Sequence, residues 1–145
     1  MSLAPDHDLI KAAIAALKAT LAVSEQVGDR IYDRVPEKAS GRPGVQYPYI
    51  SMGPTSIAPG DVDCIDGVEV TIQFDVWSQG AGEAYSSAEC RSIVEAIRKA
   101  LHDAELDLED NALAVLTFEL GRTLRDPDGV TNHGVIQFTA IVETA

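Results

Sequence analysis

Between Gly67 and Ser78 the chain alternates without a break. Val68, Val70, Ile72, Phe74 and Val76 are apolar, and Glu69, Thr71, Gln73 and Asp75 between them are polar. Successive side chains on a strand point to opposite faces, so this spacing predicts one long strand with an apolar side and a polar side. Branched and aromatic residues, which suit a pleated surface, dominate it. Trp77 interrupts the polar row at the far end, where a large ring either closes the edge of the core or meets another subunit. The same period returns over 134–143, with Ile136, Phe138, Ala140 and Val142 on the core side. Val135 and Ile141 make the opposite side less polar than usual, as contact with a helix or a subunit would require. A further strand is predicted within 113–124, with Leu116, Phe118 and Leu120 inward and Leu124 a further candidate. Asp126-Pro127-Asp128-Gly129 then reads as a turn, because proline fixes one dihedral and glycine tolerates the left-handed position.

Two stretches change to the helical period. Ile10, Ile14, Leu17 and Leu21 form one stripe, widened by Leu9 and Ala13, and predict an amphipathic helix from near Leu9 with Asp6 or Asp8 as its cap. A membrane-surface helix competes with this reading but normally carries a more basic polar face. From Val23 the pattern becomes irregular up to the turn signal Gly28-Asp29. The second helix is expected over Glu83–His102, burying Cys90, Ile93, Val94, Ile97 and Leu101 and pairing Glu95 with Lys99 on its wet side. Ile31–Val35 reads as a short edge strand or extended arm, stopped by Pro36. Tyr47–Met52 reads as a strand, with Tyr49 and Ser51 on one face and Ile50 and Met52 on the other. Residues 37–46 and 54–66 carry the proline and glycine of flexible surface loops, of which Gly41–Gly44 and Pro59–Asp66 are expected to order against a partner. The short acidic run 104–110 is anchored by Leu106 and Leu108. The order predicts a single domain over 1–145, of class α+β: a mostly antiparallel sheet with two amphipathic helices packed on one face. The strands near 70–77, 114–124 and 134–143 are expected at its centre.

Composition removes several classes of function. At 145 residues and 46% hydrophobic, the chain is long and apolar enough to bury a core without metals or disulfides. Its 23 acidic against 11 basic side chains give a charge of −12, the wrong sign for general affinity to a phosphate backbone. Cys64 and Cys90 do not make a disulfide scaffold and fit a reducing compartment. No apolar run approaches the roughly 20 residues of a membrane span, and the start lacks the basic and apolar regions of a secretory signal, so no membrane association is expected.

The search for chemistry is equally restrictive. Glycines are scattered rather than gathered into a phosphate-binding turn, and no hydroxyl sits in a nucleophile elbow. His7, His102, His133, Cys64 and Cys90 contain no close pair of zinc ligands. Asp61, Asp63 and Asp66 begin like a calcium loop, but Asp66 stands where glycine belongs and Ile72 where the closing glutamate belongs. A solvated acidic loop accounts for them. His133 has Asp126 or Asp128 as neighbours across the turn, and a structural hydrogen bond there is favoured over a base acting on substrate. No catalytic residue, cofactor or metal ligand is expected. A soluble ligand-binding module, with its pocket on the polar sheet face or among the loops, remains open.

With those residues laid out, the chain resembles a family of small tail-completion proteins of long-tailed bacteriophages, prophages and gene-transfer particles, the tail-terminator type above all. The resemblance is carried by VGDRIYDRVP at 27–36, YPYISMG at 47–53, Val76-Trp77-Ser78, Ala100-Leu101-His102, RTLRDPDG at 122–129 and His133-Gly134, in that order. It implies a homo-oligomeric ring, commonly a hexamer, at the head-proximal end of the tail. Such a ring ends tube polymerisation and offers a surface to the head. The implied partners are further copies, the tail tube protein and a head-side connector, with DNA passing through without specific binding. The implied location is the particle tail, reached from the host cytoplasm. Acidic residues facing such a passage would repel phosphates. A head–tail connector, or another tail-completion component, is the alternative within this class. Candidate interface residues are Arg30, Tyr32, Asp33 and Arg34 on the arm, then Trp77, Arg122, Arg125 and Asp126. Tyrosine, tryptophan and arginine often anchor interfaces, although each also has an ordinary surface or packing role here.

Overall fold

Two strands carry the architecture. β4 (Gly67–Ser78) and β6 (Asn132–Glu143) pair antiparallel from Gly67–Glu143 to Ser78–Asn132. Opposed residues share a face, so Val70 meets Ala140, Ile72 meets Phe138 and Phe74 meets Ile136 on the apolar side. All six are buried. The computed structural model describes residues 2–38, 40–41, 43–60, 66–81 and 84–145. Around the central pair, β1 (Ile31–Tyr32) lies parallel to β2 (Tyr49–Met52), β2 antiparallel to β4, and β5 (Ala112–Arg125) antiparallel to β6. The sheet order is β1-β2-β4-β6-β5, and β3 (Ser56–Pro59) pairs with the first half of β4 beside β2.

Three helices supply the partners for the apolar side: α1 (Pro5–Ala19), α2 (Leu21–Val27) and α3 (Ala88–Leu101). Leu9, Ala13, Leu17, Val23, Val27, Ile93, Ile97 and Leu101 join the β4 and β6 residues in one core. The α+β class with helices on one face is therefore present, with one helix more than the two expected. The extra helix is α2, in the stretch that looked irregular. It is only seven residues long, and Gly28 ends it at φ +58°, a left-handed conformation that suits glycine. Thr20 is extended between α1 and α2, which breaks the phase of the predicted stripe. Leu21 consequently faces water at 67% exposure, while Leu9, Ala13 and Leu17 take the core and Ile10 and Ile14 pack at its margin.

Other expectations are corrected by register. β5 is an edge strand rather than a central one. Its pairing with β6 shifts between Phe118 and Leu120, leaving Glu119 as an extra residue, and one inserted residue exchanges the two faces. Leu116 and Phe118 therefore point to the helices, whereas Leu120 and Leu124 point away and stay 40% and 41% exposed. Ser56–Pro59, placed within a loop, is strand. The second helix begins at Ala88 instead of Glu83, and Glu95 binds Arg98 rather than Lys99. Cys64 and the calcium-loop candidates Asp61 and Asp63 lie outside the described residues.

Asp8 is not a cap. It is buried within the first turns of α1, where its carboxylate accepts hydrogen bonds from the backbone N–H groups of Glu109, Asp110 and Asn111 at 2.8–2.9 Å and from the Asn111 amide at 2.9 Å. Burial alone would raise its pKa, but these donors together outweigh it and hold the carboxyl at about 2. The acidic segment before β5 is thus tied to α1 by one side chain.

Packing of α3 on the sheet depends on a missing side chain. A Cβ at Gly134 would lie 2.6 Å from Val94 Cγ2, 3.0 Å from Cys90 Sγ and 3.2 Å from Val76 Cβ. Gly134→Ala is expected to destabilise the fold by about 1–3 kcal/mol in urea denaturation, since all three neighbours pack in or against the core. Asp8→Ala is expected to cost about 2 kcal/mol at neutral pH. The Asp8 pKa is depressed on folding, so its stabilisation is present above the ordinary value of 3.8 and is lost as pH falls toward 2. The gap between variant and parent should therefore narrow over pH 5 to 2; a gap independent of pH would contradict the assignment.

Candidate assembly interface on the outer sheet face

The helices occupy one side of the sheet, and the alternation of the strands dictates what is left on the other. Register places residues of neighbouring strands in rows across this outer face. The first row runs Tyr49, Trp77, His133, Leu124 from β2 to β5. The next is Ser51, Asp75, Val135, Arg122, and then Gln73, Gln137 and Leu120. Beyond them, Thr71, Thr139 and Thr117 lie side by side, followed by Glu69, Ile141 and Val115.

The first two rows are stitched together. The Trp77 indole N–H donates to Ser51 Oγ at 3.0 Å, and the Trp77 ring stacks on His133 with centroids 4.0 Å apart and planes 10° apart. His133 Nε2 lies 2.7 Å from Asp75 Oδ1, so its carboxylate partner is Asp75 across the strand pair, not Asp126 or Asp128 across the turn. Gln137 Nε2 donates to Gln73 Oε1 at 2.9 Å, and Gln73 Nε2 donates to Asp75 Oδ1 at 3.0 Å. This network fixes ring orientations and leaves His133 engaged with a structural partner. The buried Cys90 thiol, pushed up to about 11 by burial, lies on the helix side against Gly134 and has no part in this face.

At one end of the sheet the aromatic row becomes a groove. Tyr49 is nearly enclosed by Tyr32 at 6.5 Å, Tyr47 at 5.2 Å and Trp77 at 6.4 Å between centroids. Desolvation, reinforced by Tyr47 and Asp126, raises the Tyr49 phenol well above its ordinary pKa and keeps it neutral. Tyr47, Tyr49, Trp77, Gln79, Asp126 and Thr131 are among the residues lining a groove of about 710 Å³. Its outer wall is the β5–β6 turn, where Asp128 accepts from the N–H groups of Val130 and Thr131 and from the Thr131 hydroxyl. The hydrogen bonds from Thr131 hold the Asp128 carboxyl below its ordinary pKa.

The eight candidate residues separate into groups. Trp77 and Asp126 line the groove, and Tyr32 reaches it through Tyr49. Arg30 is used internally, its Nε donating to the Pro48 carbonyl at 2.9 Å. Arg125 also serves its own chain, donating to the Gly129 and Tyr85 carbonyls at 3.3 Å. Asp33 and Arg34 are exposed past β1, and Arg122 is exposed on the outer face of β5 at the opposite edge. Tyr47, Tyr49, His133 and Asp75 were missed as members of the same site. Their spacing in sequence carries no sign of it, because only the strand order brings them together.

Three comparisons bear on this arrangement. The family described as tail completion protein gp17 matches residues 11–143. The tail completion protein gp17 of Bacillus phage SPP1 is 30% identical over 91 residues, a match covering 63% of this chain and 64% of that protein. The chain thus spans somewhat less than two thirds of that relative's length. A chain from the virion of a native gene transfer agent particle superposes with a TM-score of 0.81 at 26% identity, covering 98% of this chain and 99% of that one. A match running through the arm, the organising strand, α3 and the final hairpin decides the family: the chain belongs to the tail completion protein gp17 family.

Proposed function

We propose that this chain is the subunit of a closed homomeric ring, a hexamer, at the head-proximal end of a phage-like tail. It ends growth of the tail tube and presents the surface to which the head-side connector binds. The single observation that supports this best is the whole-chain likeness to a component of a gene transfer agent virion, taken together with family membership. Work of this kind makes and breaks no covalent bond. It needs surfaces that join copies and a surface that halts a repeating lattice.

The geometry is suited to that work. A ring of identical subunits needs two unlike patches that meet head to tail. The sheet ends in two unlike flanks, the long edge strand β5 on one side and the short strands β1 and β3 on the other. Val115, Leu120 and Leu124 are exposed apolar side chains on the outer face of β5, where a monomer gains nothing from them. Asp33, Arg34 and Tyr32 belong to the other flank, and in this reading they and Arg122 meet neighbouring subunits. DNA passes through the ring without specific binding, in keeping with a chain of charge −12.

Electron microscopy of assembled tails carrying a labelled subunit tests the assignment. The label is expected only at the head-proximal end, and tails made without the chain are expected to vary in length and fail to join heads. Label spread along the tube, or normal tails in the absence of the chain, would refute it.

A further inference from the structure

The groove and the exposed Arg122 are chemically complementary. We propose that the groove between Tyr47, Trp77 and Asp126 receives the guanidinium of Arg122 from a second copy of this chain. The proposal rests on the ring reading above and names the contact that would close each joint.

The lining has the chemistry of a cation site. Tyr47 and the part of Trp77 not covered by His133 offer aromatic surface over the buried Tyr49, and the Asp126 and Asp128 carboxylates line the groove with the ammonium of Lys38. The donor that the tryptophan brings is already committed to Ser51. Asp128 is turned back on the turn it caps, but the Asp126 carboxylate makes no hydrogen bond or ion pair among the described residues; only its backbone N–H and carbonyl are engaged, with Thr131 and Gly129. A planar cation that stacks on an aromatic face while donating in its own plane to a carboxylate satisfies both features, and a guanidinium does this better than an ammonium.

Among the described residues, four of the other five arginines and one lysine are already engaged. Arg30, Arg91, Arg98, Arg125 and Lys11 are hydrogen-bonded within their own chain. Arg122 is exposed, has no such partner among the described residues, and lies on the same outer face as the groove. Leu120 and Leu124, two residues to either side on that face, form an apolar collar that would exclude water around the contact. Arg122 stands four residues before Asp126 along an extended strand, roughly 13 Å away, and makes no ion pair with it within its own chain. Arg34 is also exposed, past β1 and beside the β2 side of the groove, and is the competing source that the test below separates from Arg122.

Complementation of tails made without the chain tests this, with sedimentation of the isolated chain and emission of its single tryptophan, Trp77, as companion readouts. Arg122→Glu and Asp126→Arg should each reduce capping of tails at least tenfold while leaving the urea midpoint within the range of the parent. The double variant Arg122→Glu/Asp126→Arg should recover most of the loss, because the charges are exchanged rather than removed. Asp126→Asn, which keeps the backbone bonds of the turn, should weaken capping without misfolding. Trp77 emission should change on assembly of the parent and fail to do so with Arg122→Glu. Full capping by Arg122→Glu with an unaltered emission change would overturn the proposal while leaving the ring intact, as would loss of capping on Arg34→Glu but not on Arg122→Glu. Failure of the parent chain itself to cap would instead strike at the ring.

Discussion

Full-length pairing of β4 with β6 is the constraint on which everything else in the molecule depends. It sets two faces at once: a row of Val70, Ile72, Phe74 and Val76 that must be covered, and a row of Thr71, Gln73, Asp75 and Trp77 that need not be. The helices cover the first, and they come close enough only because Gly134 lets Val94 and Cys90 settle against the strand. Burial of the central apolar side chains contributes on the order of 1.5–3 kcal/mol each, far more than any surface pair in the chain. The outer face inherits its composition from this division of labour.

That inherited face is the side of the sheet that the helices leave uncovered. Its side chains are mainly amides, hydroxyls, rings and aliphatic groups, with Glu69, Asp75 and Arg122 among its charged members. The acidic run Asp103–Asp110 is held against α1 through Asp8, away from the Trp77–His133 row. Interface cores are enriched in tyrosine and tryptophan, and the end of the sheet around Tyr47, Tyr49 and Trp77 shares that enrichment, with Lys38, Asp126 and Asp128 beside it. The internal network from Gln137 through Gln73 and Asp75 to His133 holds these rings in place before any partner arrives. Preorganisation of this kind lowers the ordering cost of association.

What the sequence disclosed, and what it hid, follows the physics of each element. The period of two in β4 and β6 is legible because both strands are central and each has one side fully buried. It misleads in β5, where a single extra residue at Glu119 reverses the faces and turns Leu120 and Leu124 outward. α2 is too short to show a period, and it breaks away from α1 at an extended Thr20 that no residue type announces. Trp77, Tyr32 and Asp126 are interface candidates by the family resemblance together with their chemistry. Tyr47, Tyr49 and His133 were not grouped with them, because the row depends on β2 pairing with β4, a contact between positions far apart in the chain. Arg30 and Arg125 look like surface anchors in sequence and are spent on carbonyls of their own chain.

Hydroxyl-radical footprinting of the free chain and of the assembled particle compares the two faces side by side. Protection on assembly is predicted at Tyr47, Trp77, Leu120 and Leu124, with Lys18 and Lys99 on the helix layer as reactive in the particle as in the free chain. Protection of the helix layer, with the outer face of the sheet equally reactive in both states, would contradict the account.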